Sequence, residues 1–238
     1  MKALLLAAGL GTRLRPLTDT VTKCLVPIAG KPLLEIWLDR LTEAGVCSFL
    51  INTHHLSDQV RNFMANSTHR DQVRLVHEAN LVGTAGTLIQ NAGFYDGEGG
   101  LLIHADNFCL ADIRDFLRAH ESRPANCLMT MMTFRTDTPS SCGIVKLDEQ
   151  GRVIDFYEKQ TNPPGNLANG AVYALSAEFV DWVVRHHPNA SDFSTEILPQ
   201  LKGRIYTWET SEIFVDIGTP ESYAHICSLY RSSFDIGL

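Results

Sequence analysis

The sequence predicts an α/β fold, a mostly parallel sheet with helices on both faces plus an antiparallel extension. Three observations carry that prediction. Over residues 1–125, short apolar runs alternate with segments of three- and four-residue apolar spacing, the β-α-β-α order of a parallel sheet. After residue 125, strand-like runs crowd together with short connections, which marks antiparallel pairing. A chain of 238 residues, 45% hydrophobic and 20% charged, can bury a sizeable core.

The elements follow in order. Residues 4–8 form a buried strand; the run is too short for a signal peptide and ends in a Gly/Arg-rich turn. Leu33, Leu34, Trp37, Leu38 and Leu41 mark one helix face, and Gly45 stops that helix. Strands are expected over residues 49–51, 73–76 and 101–103, with a helix over 58–65 and another carrying Ile113, Phe116 and Leu117. The extension consists of strands over 127–134, 143–147, 153–157 and 171–175, then helices over 177–185 and 194–201. A late strand at 214–215 and a last helix from about residue 220 close the chain. No repeat or low-complexity linker divides it, so one domain over 1–238 is expected, with parts at about 1–125, 126–210 and 211–238.

Composition narrows the function classes. The formal net charge of −7 repels a phosphate backbone, so no nucleic-acid partner is expected, although a few local cations can still hold a small anion. Cys24, Cys47, Cys109, Cys127, Cys142 and Cys227 form no CxxC pair, which argues against zinc, and their scatter fits a reducing, cytoplasmic compartment. No apolar run approaches bilayer length, so no membrane partner is expected.

The segment Ala8-Gly9-Leu10-Gly11-Thr12-Arg13 follows the first strand directly. Glycines let a backbone approach a phosphate with several N–H groups pointing at it, and ligands of open α/β sheets sit at the carboxyl ends of the strands. The loop is neither a Walker A motif nor GxGxxG, since Leu14 holds the third glycine position. Two glycines alone read first as a tight turn, and a lone arginine as a solvated charge. Arg13 and Lys23 are the cations that shift the reading toward a phosphate clamp.

The longer string Gly9-x-Gly11-Thr12-Arg13-x-x-Pro16-x-Thr18, then Lys23-x-x-x-Pro27 and Gly30-Lys31-Pro32, resembles the opening signature of the sugar-phosphate nucleotidyltransferases. The resemblance runs from residue 1 to about 230 and implies a Rossmann-like sheet with a sugar-binding extension. It implies that Ala8, Gly9, Gly11, Thr12 and Arg13 hold the nucleotide and that Lys23 contacts a phosphate near the reaction. Lys31 is read as the turn before the first helix.

Gly83-Thr84-Ala85-Gly86 reads locally either as a platform for a flat group or as a helix start capped by Thr84. The resemblance favours the platform: Gly83 and Thr84 would pack against base and ribose, and Glu78 and Asn80 would face the base edge. This form of the loop is similar to that of guanylyl- and adenylyl-transferring members.

Two apolar strands end in carboxylates, Leu101-Leu102-Ile103-His104-Ala105-Asp106 and Phe214-Val215-Asp216. Such carboxylates are oxygen ligands suited to Mg²⁺, and each one alone also reads as a turn residue. The resemblance implies that Asp106 and Asp216 meet as the metal ligands and, with Arg13 and Lys23, form the catalytic set. Ala105 departs from the family's usual glycine, and its methyl is expected to crowd the pocket.

Gly143, Glu158-Lys159 and Asn169-Gly170 read locally as strand ends and a glycine bulge. In the resembling family, such residues bind the sugar 1-phosphate: Glu158 and Asn169 on hydroxyls, Lys159 on the phosphate, Gly143 and Gly170 giving room. His54-His55 and His186-His187 read as a loop and a helix end. The implied activity is Mg²⁺-dependent transfer of a nucleotidyl group from a nucleoside triphosphate, GTP first, to a manno-configured hexose or heptose 1-phosphate. UTP or dTTP is the alternative donor, and a non-catalytic nucleotide-sugar-binding regulator the alternative class. The chain ends soon after its last expected helix, which implies a form without the repeat-built β-helix of longer relatives. A homo-oligomer stays open.

Overall fold

A computed structural model describes residues 1–234. β1 (Lys2–Leu6) leads through the glycine loop and α1 (Leu17–Thr20) to a two-residue ladder of β2 (Pro27–Ile28) and β3 (Lys31–Pro32). α2 (Leu33–Glu43), β4 (Ser48–Thr53), α3 (Ser57–Ala65) and β5 (Val73–His77) follow. Next come α4 (Gly83–Gln90), β6 (Gly100–His104), β7 (Asn107–Cys109) and α5 (Ile113–Glu121). The remaining elements are β8 (Met129–Arg135), β9 (Gly143–Leu147), β10 (Val153–Glu158), β11 (Leu167–Leu175) and α6 (Ala177–His186). β12 (Ile205–Glu209), β13 (Phe214–Asp216) and α7 (Pro220–Phe234) end the described chain, so residues 235–238 of the expected C-terminal part lie outside it.

The described chain packs as two compact units. One unit comprises Leu5–Leu81, His104–Leu110 and the chain from Ile213. Its strand order is β1-β4-β5, with β4 and β5 parallel and Asn52 registered to Val76. The predicted face of α2 is buried throughout, at Leu33, Leu34, Trp37, Leu38 and Leu41. The helix stops because Gly45, at φ +92°, turns the chain, so that Val46 N–H returns to Leu41 O at 2.9 Å. β7 and β13 form a separate antiparallel ladder in this unit.

The other unit comprises Met1–Leu4, Val82–Ile103 and Ala111–Glu212. Residues 82–103, expected with the nucleotide-binding part, therefore cluster with the extension. Here the strand order is β10-β9-β11-β6-β1, and β8 pairs with β11 and β12. The pairings β9–β10, β9–β11, β8–β11 and β6–β11 are all antiparallel, as the crowded strand pattern predicted. Tyr173, Phe179 and Phe193 are fully buried, with the Tyr173–Phe193 ring centroids 4.8 Å apart. α5 and α6 begin on side-chain caps, Asp112 accepting from Asp115 N–H and Ser176 from Phe179 N–H, each contributing about 1 kcal/mol.

Besides the short elements α1, β2, β3 and β7, which were not expected, two further differences have a visible cause. The helix expected over 194–201 is a π-turn, Phe193–Ile197, followed by a 3-10 turn, Leu198–Leu201, because Pro199 offers no N–H to continue an α-helix. β12 was not predicted; Ile205-Tyr206-Thr207-Trp208-Glu209 lacks an apolar run, and its place is set by parallel pairing with β8. Among the described residues, no helix is long and apolar enough to cross a membrane.

Candidate active site

In the first unit, β1 leads through Ala7 and Ala8, both buried, to the exposed Gly9 and Leu10. Gly11 adopts the left-handed region at φ +63° and opens a 3-10 turn, Thr12–Leu14. A Cβ at Gly11 would stand 2.8 Å from Thr18 Cγ2 and 3.3 Å from Lys23 Cβ, so the loop is folded tightly onto both residues. Thr18 reinforces it by donating its hydroxyl to Gly11 O at 2.7 Å. A Cβ at Gly9 would meet nothing within 4 Å. The loop's own packing therefore requires glycine at 11 but not at 9. Thr12 and Arg13 are exposed.

Lys23 is the buried cation of this unit's cradle. Its Nζ donates to Asp106 Oδ2 at 2.7 Å and lies 3.8 Å from Asp216 Oδ1. Arg13 Nη2 stands 3.7 Å from the other oxygen of Asp216. The two aspartates, 110 positions apart in the chain, meet for a topological reason. Asp106 immediately precedes β7, and Asp216 pairs with Asn107 in the β7–β13 ladder. Trp37 Nε1 anchors that ladder by donating to Asn107 O at 2.7 Å. Burial pushes the Asp106 carboxyl up, but the charges of Lys23 and His104 and the hydrogen bond from Lys23 outweigh it and hold the group below its ordinary value.

Gly218 was not singled out from sequence, yet a Cβ there would stand 3.0 Å from Arg13 Nη2 and 3.1 Å from Asp216 Oδ2. Its spacing two residues after Asp216 was the available signal. Ala105 is fully buried, and its N–H donates to Leu6 O at 3.0 Å. Its methyl packs into the core, so the crowding expected from it is not found.

Glu78 follows β5 directly as a buried acid; its N–H donates to Thr53 O at 2.8 Å. Asn52, on the neighbouring strand, donates its amide to Glu78 Oε1 at 2.9 Å and accepts from Ala7 N–H at 2.7 Å. His54 lies near Glu78 as well, its Nδ1 2.7 Å from Glu78 O. Asn80 is exposed. Asn52 escaped the sequence reading, although it stands, like Asp106, as a polar residue closing an apolar run.

In the second unit, Gly83 opens α4 at φ +82°, where a Cβ would overlap the Ser191 backbone. Ala85 N–H donates to Ser191 O at 2.9 Å, and the Thr84 hydroxyl accepts from Phe193 N–H at 2.8 Å. The glycine segment is thus a helix start docked on residues 191–193, and Thr84 does not cap α4.

The sugar-site candidates of this unit share three neighbouring strands. Gly143 pairs with Glu158 across β9–β10, and a Cβ on it would lie 2.6 Å from Phe156 Cζ and 2.7 Å from Glu158 Oε2. Lys159 follows at φ +45°, with Nζ 3.4 Å from Glu158 Oε1. Asn169 sits one residue beyond the Ala168–Ile144 pairing of β11 and β9. The register of β11 against β8 breaks between Asn169 and Tyr173, so a bulge is present. Its left-handed residue is Ala171 at φ +52°, not Gly170. Asn169 is fixed from both sides, accepting from Ala171 N–H at 2.9 Å and donating to the Tyr173 hydroxyl at 2.7 Å. Two non-glycine residues in a left-handed conformation, each costing about 1–3 kcal/mol, fall within this small group.

A fold of parallel and antiparallel strands with a glycine loop, a buried lysine and paired strand-end aspartates defines a phosphate-handling transferase class. The chain belongs to the nucleotidyl transferase family, whose model matches residues 2–233. A D-glycero-alpha-D-manno-heptose 1-phosphate guanylyltransferase of Campylobacter jejuni is 29% identical over 94% of this chain and 98% of its own length. A mannose-1-phosphate guanylyltransferase of Mycobacterium tuberculosis is 30% identical over 93% of this chain, and the match spans 62% of that relative. Among solved structures, HddC from Yersinia pseudotuberculosis complexed with GMP-PN superposes with a TM-score of 0.80 at 23% identity, covering 96% of this chain and 99% of that one. A putative glucose-1-phosphate thymidylyltransferase from Bacillus anthracis, in complex with a sucrose, gives 0.85 at 21% identity, covering 97% and 95%. These two likenesses establish the fold.

Proposed function

We propose that this protein transfers a guanylyl group from GTP to a manno-configured hexose or heptose 1-phosphate, releasing pyrophosphate and forming a nucleotide sugar. The observation that carries the reading is the convergence of Asp106 and Asp216 on Lys23 Nζ, in the unit whose glycine loop folds onto Lys23. The names of the heptose and mannose relatives support the choice of GTP and of the sugar configuration.

The donor set fits Mg²⁺. Two carboxylates supply hard oxygen ligands, and among the described residues no cluster of three or more His, Cys, Asp or Glu forms a fuller cage. Mg²⁺ commonly takes one or two carboxylates and completes its shell with substrate phosphates. Bound at Asp106 and Asp216, it would supply Lewis-acid neutralisation of phosphate charge.

The remaining work falls to the chain's own residues. The sugar-phosphate oxygen that attacks the α-phosphorus is already ionised at neutral pH, so catalysis is positioning and charge stabilisation, and no Ser, Cys or His nucleophile is needed. Ala8, Gly9, Gly11 and Thr12 hold the triphosphate through the loop backbone. Arg13 and Lys23 stabilise charge that grows on it. Glu78, Asn80, Gly83 and Thr84 hold the base and ribose. Glu158 and Asn169 take sugar hydroxyls, Lys159 orients the attacking phosphate, and Gly143 and Gly170 leave room for the ring. Free cysteines throughout the chain support a cytoplasmic location.

The test is a pyrophosphate-release screen of GTP, ATP, UTP and dTTP against a panel of sugar 1-phosphates with Mg²⁺. Turnover with GTP and a manno-configured partner is expected, and none after chelation. Preference for UTP or dTTP would overturn the base, and nucleotide-sugar binding without pyrophosphate release would overturn catalysis.

A further inference from the structure

Asn52 is 3% exposed and lies near the end of β4. Two of its partners dictate which way its amide points. Ala7 N–H requires an oxygen, and the Glu78 carboxylate requires an N–H, so the carbonyl accepts from Ala7 at 2.7 Å and the amide donates to Glu78 Oε1 at 2.9 Å. Reversing the amide would lose both bonds. Aspartate in its place could keep the first bond but has no donor for the second.

The bridge joins two pieces that lie far apart in the chain, Ala7 just after β1 and Glu78 just after β5. Ala7 lies two residues before Gly9, and Glu78 is the acid assigned to the base edge. One buried amide therefore ties the entry of the triphosphate loop to the orientation of that carboxylate.

We propose that Asn52 is a positioning residue for base selection, holding Glu78 so that its carboxylate meets the adjacent N1–H and N2–H donors of guanine. The inference rests on the guanylyl-transfer reading and goes beyond it. A carboxylate only accepts, so it suits an edge that offers two donors side by side. Uracil and thymine place a carbonyl on each side of their single N–H, and a fixed carboxylate repels both. The discrimination depends on the carboxylate being held in register with the triphosphate, which is what a bond shared with Ala7 provides.

The full chain with Mg²⁺ is titrated calorimetrically with GTP, UTP and inosine triphosphate, which lacks the 2-amino group. The proteins compared are the wild type, Asn52→Asp, and Asn52→Asp combined with Glu78→Gln. The wild type is expected to favour GTP over both others. Asn52→Asp keeps the acceptor for Ala7 and is expected to lose roughly tenfold or more in GTP affinity. Its loss for inosine triphosphate is smaller, so the ratio of the two affinities collapses toward one. The double variant restores an amide–carboxylate bond with donor and acceptor exchanged. It is expected to recover the wild-type thermal midpoint while the ratio stays collapsed. A GTP-to-inosine ratio unchanged in Asn52→Asp, or restored in the double variant, overturns the role of Asn52. A wild type that binds no nucleotide, or prefers another base, overturns the guanylyl reading itself, and does so before any variant is measured.

Discussion

Lys23 and Asp106, separated by 83 positions, share a 2.7 Å charge-assisted hydrogen bond in which the ammonium is buried and the carboxylate is half-buried. Asp216 lies 3.8 Å from the same ammonium, and Arg13 lies 3.7 Å from the other oxygen of Asp216. The cradle is held together by the chain's own ion pairs, and its charges alternate in sign. Preorganised charge of this kind costs no rearrangement when charge develops in a transition state.

Arg13 is exposed and makes one long ion pair, so its removal leaves the fold intact and removes a cation from the proposed triphosphate site. Arg13→Ala, and likewise Lys159→Ala in the sugar group, are expected to lose roughly 10²–10³ in turnover, the usual cost of one preorganised donor. Thermal midpoints should stay close to wild type. Near-normal pyrophosphate release in either variant removes the role assigned to that residue.

The two loop glycines should behave differently. Gly11→Ala forces a side chain into the left-handed region and onto Thr18, a destabilisation of about 1–3 kcal/mol, seen as a lower thermal midpoint. Gly9→Ala meets open space, so its thermal midpoint should match the wild type while triphosphate affinity falls. Equal thermal midpoints for the two variants would contradict the loop packing described above.

Gly143→Ala places a methyl against Phe156 and the Glu158 carboxylate. The expected result is a raised KM for the sugar 1-phosphate with the KM for the nucleotide little changed. Steady-state kinetics with each substrate varied in turn decides it, and a shift in the nucleotide KM alone would exclude Glu158 from sugar binding.

Acid should weaken the cradle in a defined direction. The folded-state pKa of Asp106 is depressed, so its contribution to stability is fully present above the unfolded value of about 3.9 and is lost as pH falls through the folded value. The stability difference between wild type and Asp106→Asn, from urea unfolding, should be flat from about pH 5 to 8 and shrink below about pH 4. A difference that vanishes already near pH 6 would contradict the depressed pKa.

Much of this molecule was legible in its sequence because periodicity and strand-end chemistry are local. The face of α2, the crowded strands after residue 125, the carboxylate just after β6 and the one ending β13 could each be read in place. What escaped depends on partners distant in sequence. β12 is a strand because β8 runs beside it, and Gly218 matters because Arg13 lies against it. Asn52 gains its meaning from Ala7 and Glu78. The bulge in β11 was foreseen, but tertiary context placed the left-handed turn on Ala171, one residue past the glycine that local propensity favours. Ala105 shows the converse: one added methyl looked obstructive on paper, and the core absorbs it.

The ladder of β7 and β13 makes the timing of synthesis matter. Until the ribosome has delivered residue 216, a growing chain owns only one of the paired acids, and β7 lacks its ladder partner. Proteolytic clipping or premature termination upstream of that point yields a polypeptide that keeps the whole glycine loop yet has lost one of the two aspartates beside Lys23. The ladder thus ties the completeness of the fold to the presence of both acids.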